Sequence, residues 1–224
     1  MPTLGPGLLG NDATPEERLA LLGLTSDILW DAILAGQAAR DSATPNHPTV
    51  TGGFNCWSES VCRLRELLLP NGWARLNLRG LPLVVSPDGA MAIMVVMNTT
   101  AETGTPRNPQ TRARGEMTNL VVEINQQLEL PGIPAQEPTA DEGALLSMFE
   151  TWALIVHRTA ENLLRAELAL PSSLNEDNQI IGWRERIPLG EYDMGAASPP
   201  PGSQPPPEED DGPGIDFPVE PTDL

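Results

Sequence analysis

Apolar residues recur at helical spacing through the front of the chain, at strand spacing through the middle, and almost nowhere at the end. Thr14-Pro15-Glu16-Glu17 combines an N-cap, a proline at the first helical position and a Glu three residues past the cap. This predicts a short helix to about Leu22, stopped near Gly23. Thr25-Ser26-Asp27 opens a second helix that ends before Pro45, with Ile28, Leu29, Ala32, Ile33 and Gly36 on one face. Residues 14–44 therefore read as a helical hairpin behind a flexible arm, 1–13. Turn formers fill 41–55, including Pro45, Pro48 and Gly52-Gly53, and mark the passage to a main body over 45–195. Trp57, Val61, Leu64 and Leu68 form one stripe of a third helix, from about Ser58 to Leu69, ended by Pro70-Asn71-Gly72.

From Trp73 the period shortens to two. Leu76 and Leu78 alternate with Asn77 and Arg79, and Leu83-Val84-Val85 precedes the turn Pro87-Asp88-Gly89 and the run AMAIMVVM (90–97). Two apolar runs around such a turn predict a β-hairpin, and the second run, apolar on both faces, predicts a central strand covered on each side. Residues 98–115 show no period. Glu116 to Leu128 reads as a helix with Leu120, Val121, Ile124 and Leu128 on one face, and three prolines make 131–138 a linker. The stretch 141–170 reads two ways. As a helix it aligns Leu145, Phe149, Trp152 and Val156; as strands it alternates Trp152, Leu154 and Val156 with their neighbours. Its β-branched and aromatic content favours a short helix to about Glu150, then a hairpin turning near Ala160-Glu161-Asn162. Ile180 to Ile187 is a further strand ended by Pro188, with Ile181, Trp183 and Ile187 facing one way and Gly182, Arg184 and Arg186 the other. The predicted class is α+β: an antiparallel sheet of five or six strands with packed helices, an N-terminal helical hairpin and a disordered C-terminal tail.

Composition sharpens the tail. Residues 196–224 contain nine Pro, seven acids and no base, too little apolar content to offset chain entropy. Within them Ile215-Asp216-Phe217-Pro218-Val219-Glu220 sets three hydrophobes among acids, a pattern that either docks on a groove or merely solubilises. The 224-residue chain has a formal net charge of −18, and all 13 of its basic residues are Arg. Only residues 71–115 are net positive, with five Arg against two acids. Such a surface repels nucleic acid and anionic membranes at long range, except through that segment. No apolar run reaches a membrane span, and the first twenty residues lack the basic start and apolar stretch of a secretory signal. The expectation is a soluble, cytoplasmic protein.

The basic loop is the strongest local anomaly. Arg107, Arg112 and Arg114 stand among Thr103, Gly104 and other small polar residues, a composition suited to phosphate, carboxylate or a protein partner. It is not a P-loop, since the chain has no lysine, and the arginines could instead pair with the acidic body. Cys56 and Cys62 are six apart; on one helix their Cα atoms stand about 9 Å apart, too far to bridge. Cys56 near a helix start could carry a lowered pKa, but two small partly buried hydrophobes is the simpler reading. His47 and His157 are the only imidazoles, and no metal-ligand spacing, nucleophile motif or cofactor fingerprint accompanies them. Asp88 lies in a turn, Glu185 lies between two arginines that would pair with it, and the five tryptophans fit core packing.

GGFNCW (52–57), LLLPNGWARL (67–76), LPLVVSPDGAMAI (81–93), AELALP (166–171) and GWRERIPL (182–189) together give the chain a resemblance. They are similar to a set of uncharacterised bacterial proteins associated with phages and mobile elements. The resemblance implies an accessory role, assigns no activity and lends no catalytic residues. The expected function is a non-catalytic binding protein whose partner is another protein, with the arginine loop fixing register. The competing expectation is a nuclease or hydrolase acting on a phosphorylated or nucleic-acid substrate through 98–115.

Overall fold

The computed structural model describes residues 13–97, 99–128 and 141–195. The predicted arm up to residue 12, the 131–138 linker and the acidic tail lie outside the described residues.

Three helices come first. α1 (Pro15–Leu21) carries the predicted capping box, with Glu17 N–H on Thr14 Oγ1 at 3.2 Å and Thr14 N–H on Glu17 Oε2 at 2.9 Å. α2 (Ser26–Asp41) is capped by the Thr25 hydroxyl. α3 (Thr51–Leu68) begins seven residues before the predicted Ser58, so Gly52 and Gly53 lie inside its first turn rather than in a loop. A Cβ at Gly52 would make only ordinary contact with Arg40 and one at Gly53 would meet open space, so neither glycine is required by packing, and the modest helix cost of each, about 1 kcal/mol, is outweighed by the burial of the rest of α3. α2 and α3 meet most closely at Gly36, where an added Cβ would overlap Ser60 Oγ and the Cys56 carbonyl.

Six strands follow and pair in chain order: β1 (Ala74–Leu78), β2 (Leu81–Val85), β3 (Met91–Val96), β4 (Glu150–Arg158), β5 (Leu163–Leu174) and β6 (Ile180–Asp193). The α+β class and the strand number agree with the sequence reading, and the hairpin after Glu150 turns at Asn162, whose φ is +62°. The sheet is mixed rather than wholly antiparallel, because β3 and β4 run parallel. Their connection is a crossover that carries α4 (Glu116–Leu128) and α5 (Asp141–Leu146), and parallel neighbours require one. α1–α3 pack on one face of the sheet around Leu29, Leu64, Ile93 and Trp152, and α4 and α5 pack on the other around Val121, Leu146, Met94 and Ile155. Every residue of β3 is therefore buried, as its two-sided apolar run predicts.

β6 departs from its predicted form twice. It continues through Pro188 to Asp193, since on an outer strand a missing N–H costs no ladder bond. A bulge near Arg184 also changes its phase, so Trp183 joins the α4 side while Ile187 packs on the α1–α3 side. Glu185 consequently leaves its flanking arginines and pairs with Arg18 of α1. Trp73 and Trp152 are buried, whereas Trp30, Trp57 and Trp183 are half-buried.

A second proline interrupts an interior ladder. The Thr159 N–H on Leu163 O at 2.8 Å sets the phase of the β4–β5 bonds, which would next require a donor at Pro171 opposite Thr151. Asn125 of α4, itself 1% exposed, fills the break: its Nδ2 donates to Thr151 O (2.9 Å) and Pro171 O (3.1 Å), and its Oδ1 accepts from Thr151 N–H (3.1 Å). The buried backbone groups are thereby satisfied by a side chain in place of a strand.

Two outcomes are expected. Gly36→Ala should destabilise the protein by about 1–3 kcal/mol in chemical denaturation, through overpacking of α2 on α3. Asp88 accepts from the Ser86 hydroxyl and from Ala90 N–H, and these bonds hold its carboxyl below the usual range. A depressed folded-state pKa gives stability that is complete above the unfolded value and lost as pH falls through the folded one. Stability-versus-pH profiles of the native chain and Asp88→Asn should therefore converge at acid pH.

Candidate functional site

The loop between β3 and α4 lacks periodicity yet is fastened at every stage. Thr99 and Thr111 bridge its two limbs, and Thr100 N–H bonds Gln110 O at 3.0 Å. The returning limb then pairs with the start of β6, through Thr111 N–H to Ile180 O (3.1 Å) and Arg114 N–H to Asn178 O (2.8 Å). Trp183 Nε1 donates to Pro109 O at 2.8 Å.

The tip is held by a buried ion pair. Glu167 of β5 is fully buried and receives Arg186 of β6 in bidentate fashion, Nε to Oε2 at 2.7 Å and Nη2 to Oε1 at 2.5 Å. The same guanidinium donates to the Thr105 carbonyl (Nη2) and the Arg107 carbonyl (Nη1), both at 2.8 Å, and Gly104 N–H donates to Glu167. Five separate bonds thus satisfy a carboxylate and a cation that neither burial nor Coulomb attraction alone would favour.

This frame separates the residues that the sequence singles out. Thr103 is fully buried, and its hydroxyl bonds Thr99 Oγ1 and Thr100 O. Gly104, at φ +76°, lies against Arg165, and its N–H serves the Glu167 clamp. Both residues shape the loop. Arg107 is exposed and anchored through its backbone, its N–H donating to Thr105 Oγ1 at 3.3 Å and its carbonyl accepting from Arg186. Arg114 is turned inward: its Nη2 donates to Met97 O at 2.8 Å, its Nε has no partner among the described residues, and burial, with Arg112 nearby, pushes its pKa down to about 10. Arg112 projects into a cleft.

That cleft, about 460 Å³, lies between the end of α2, the end of β4 and the loop. Arg40, Arg112, Arg158 and His157 line it. Arg158 also holds Asp41 (Nη1 to Oδ1, 2.6 Å) and Asn162. His157 Nδ1 lies 2.9 Å from the Thr99 carbonyl oxygen, to which it donates, and this fixes the orientation of the ring. Gln37 lines the floor at 1% exposure; its Nε2 meets Cys56 Sγ at 3.3 Å, and its Oε1 has no partner among the described residues. The chain matches no family model, no curated protein and no solved structure.

The cleft holds donors and cations but no activated nucleophile. Cys56 lies inside α3 rather than at its start, fully buried, and burial pushes its thiol up although Arg40 acts against this, so the lowered value open to a helix-start position is not found. Cys62 is exposed and free, and its partial burial and the neighbouring Glu66 and Glu59 also raise its thiol. His47 does not line the cleft but a second concavity that shares Arg40, its Nδ1 accepting from Thr44 N–H at 3.0 Å. No group of three metal-ligating side chains occurs among the described residues. No single described helix is long and apolar enough to cross a membrane.

Arg40, Arg158 and Gln37 are the site residues that sequence reading missed. Gln37 left a signal: four residues past Ile33, it is a polar amide on the buried face of α2. Arg186→Met should cost about 3–5 kcal/mol in denaturation by stranding Glu167, while the Glu167→Met/Arg186→Met double variant costs less. Greater loss in the double variant would contradict the clamp.

Proposed function

We propose that this protein is a non-catalytic binding module that captures an oxyanion, a phosphate or carboxylate carried by its partner, in the Arg40/Arg112/Arg158 cleft. One observation carries the reading: in a chain of net charge −18, guanidinium groups from a helix end, a clamped loop and a strand end line the same concavity. Guanidinium forks match the geometry of such groups, and a charge-assisted bond to each contributes about 1.5–3 kcal/mol. His157 Nδ1 is engaged by the Thr99 carbonyl, which fixes the ring as a wall of the cleft. An accessory role in a phage or mobile element, acting through a protein partner, is compatible with a module that binds without transforming. The acidic surroundings serve selection: they repel extended polyanions at long range and admit a single anionic group at the cleft.

The test is titration of inorganic phosphate, and separately of acetate, followed through the His157 ring resonances. Saturable shifts are expected, weakened about tenfold by Arg112→Gln, a loss of about 1.4 kcal/mol. Asp41→Asn should strengthen binding several-fold by freeing Arg158 from its competing carboxylate. Shifts equal in native protein and Arg112→Gln, or none at all, would overturn the reading.

A further inference from the structure

Pro82 breaks the β2–β3 ladder as Pro171 breaks that of β4–β5, but among the described residues no side chain fills the break. Ser86 N–H bonds Met91 O at 2.9 Å, so bonded pairs between these strands fall at Ser86–Met91, Val84–Ile93 and then Pro82–Val95. Pro82 has no N–H to offer the Val95 carbonyl, and the paired register ends at Val84–Ile93. The strands part, and a groove of about 350 Å³ opens between Leu81-Pro82 and Met94–Met97. Phe54 and Trp57 of α3 wall it, their rings 6.0 Å apart, and Phe54 is 61% exposed. Arg114 closes the end of the groove, with no carboxylate partner among the described residues. Apolar walls, with Phe54 and half-buried Trp57, Leu81 and Pro82 open to solvent, and a cation at one end specify a segment with apolar side chains and an acid.

The chain carries such a segment. In 215–220, Ile215, Phe217 and Val219 alternate with Asp216, Pro218 and Glu220, the two-residue period of a segment laid flat on one apolar face. Its tail has seven acids and no base, whereas among the described residues the only charged one lining the groove is Arg114, from the one net-positive stretch of the sequence. The residues between Gly195 and Ile215 can extend to about 60 Å, against a radius of gyration of about 16 Å for a body of this size. We propose that residues 215–220 of this chain occupy the β2–β3 groove as an extended segment, with Phe217 against Phe54 and Trp57 and an acid beside Arg114. The inference does not depend on the oxyanion reading, whose cleft is a separate one. Tethering supplies an effective concentration of roughly 1 mM, so a segment with a free-peptide dissociation constant of about 100 µM would be docked about nine-tenths of the time.

The experiment uses the full chain labelled with fluorotryptophan, the Trp57 resonance being assigned with Trp57→Phe. Phe217→Ala should move the Trp57 resonance at every protein concentration. A synthetic peptide of residues 211–224 added to that variant should move it back, with half-saturation of order 100 µM, weakened at least fivefold in the Phe217→Ala/Arg114→Gln chain. An identical Trp57 resonance in the native and Phe217→Ala chains, or a peptide without effect, would overturn the proposal. A shift that grows with protein concentration would assign the groove to a second copy and overturn it as well.

Discussion

The Glu167–Arg186 pair fixes the rest of the site. A carboxylate with no solvent exposure is costly unless every lone pair is met, and here a bidentate guanidinium and a backbone N–H meet it. The guanidinium's remaining donors reach out to the loop carbonyls of Thr105 and Arg107. Two neighbouring strands and an otherwise patternless loop become one rigid object. Because the loop cannot collapse, Arg112 is held toward the cleft and Arg114 toward the sheet, two residues apart and facing different surroundings.

Charge follows the same logic. Most arginines are taken by acids: Arg18 by Glu185, Arg63 by Asp31, Arg158 by Asp41, Arg165 by Glu191 and Arg184 by Glu150. Partly exposed pairs of this kind are screened by solvent and mainly relieve the self-repulsion of an acidic body. Arg40, Arg112 and Arg114 have no carboxylate partner among the described residues, and all three border a cavity. In a chain with such an excess of acid, cations left unneutralised are the informative ones. The two interior prolines make a similar contrast, one break being met by Asn125 and the other open beside Phe54 and Trp57.

Local signals in the sequence were reliable where local physics decides. The Thr14 capping box, the 116–128 helix and the two-sided apolar run of β3 were all readable, because capping and periodicity need only neighbours along the chain. Gly52-Gly53 misleads because glycine inside a helix costs only about 1 kcal/mol, which the packing of the rest of α3 outweighs. The β1–β2 hairpin turn at Arg79-Gly80 carries no Asn or Asp before its glycine, and an arginine at φ +42° is an uncommon occupant of such a turn. The parallel β3–β4 pair has no local signature; it follows from where the crossover lands. Of the cleft, Arg112 was legible as part of a basic loop. Arg40 and Arg158 lie 118 residues apart in sequence and meet only through the packing of α2 beside the end of β4.

The account stands on the loop tip being as rigid as the strands that hold it, and backbone relaxation of the intact protein measures this directly. Order parameters near 0.85 across residues 103–107, matching those of β5, are what the buried clamp predicts. Values below 0.6 there, with β5 itself rigid, would show that Glu167 and Arg186 do not hold the loop, and would contradict the account.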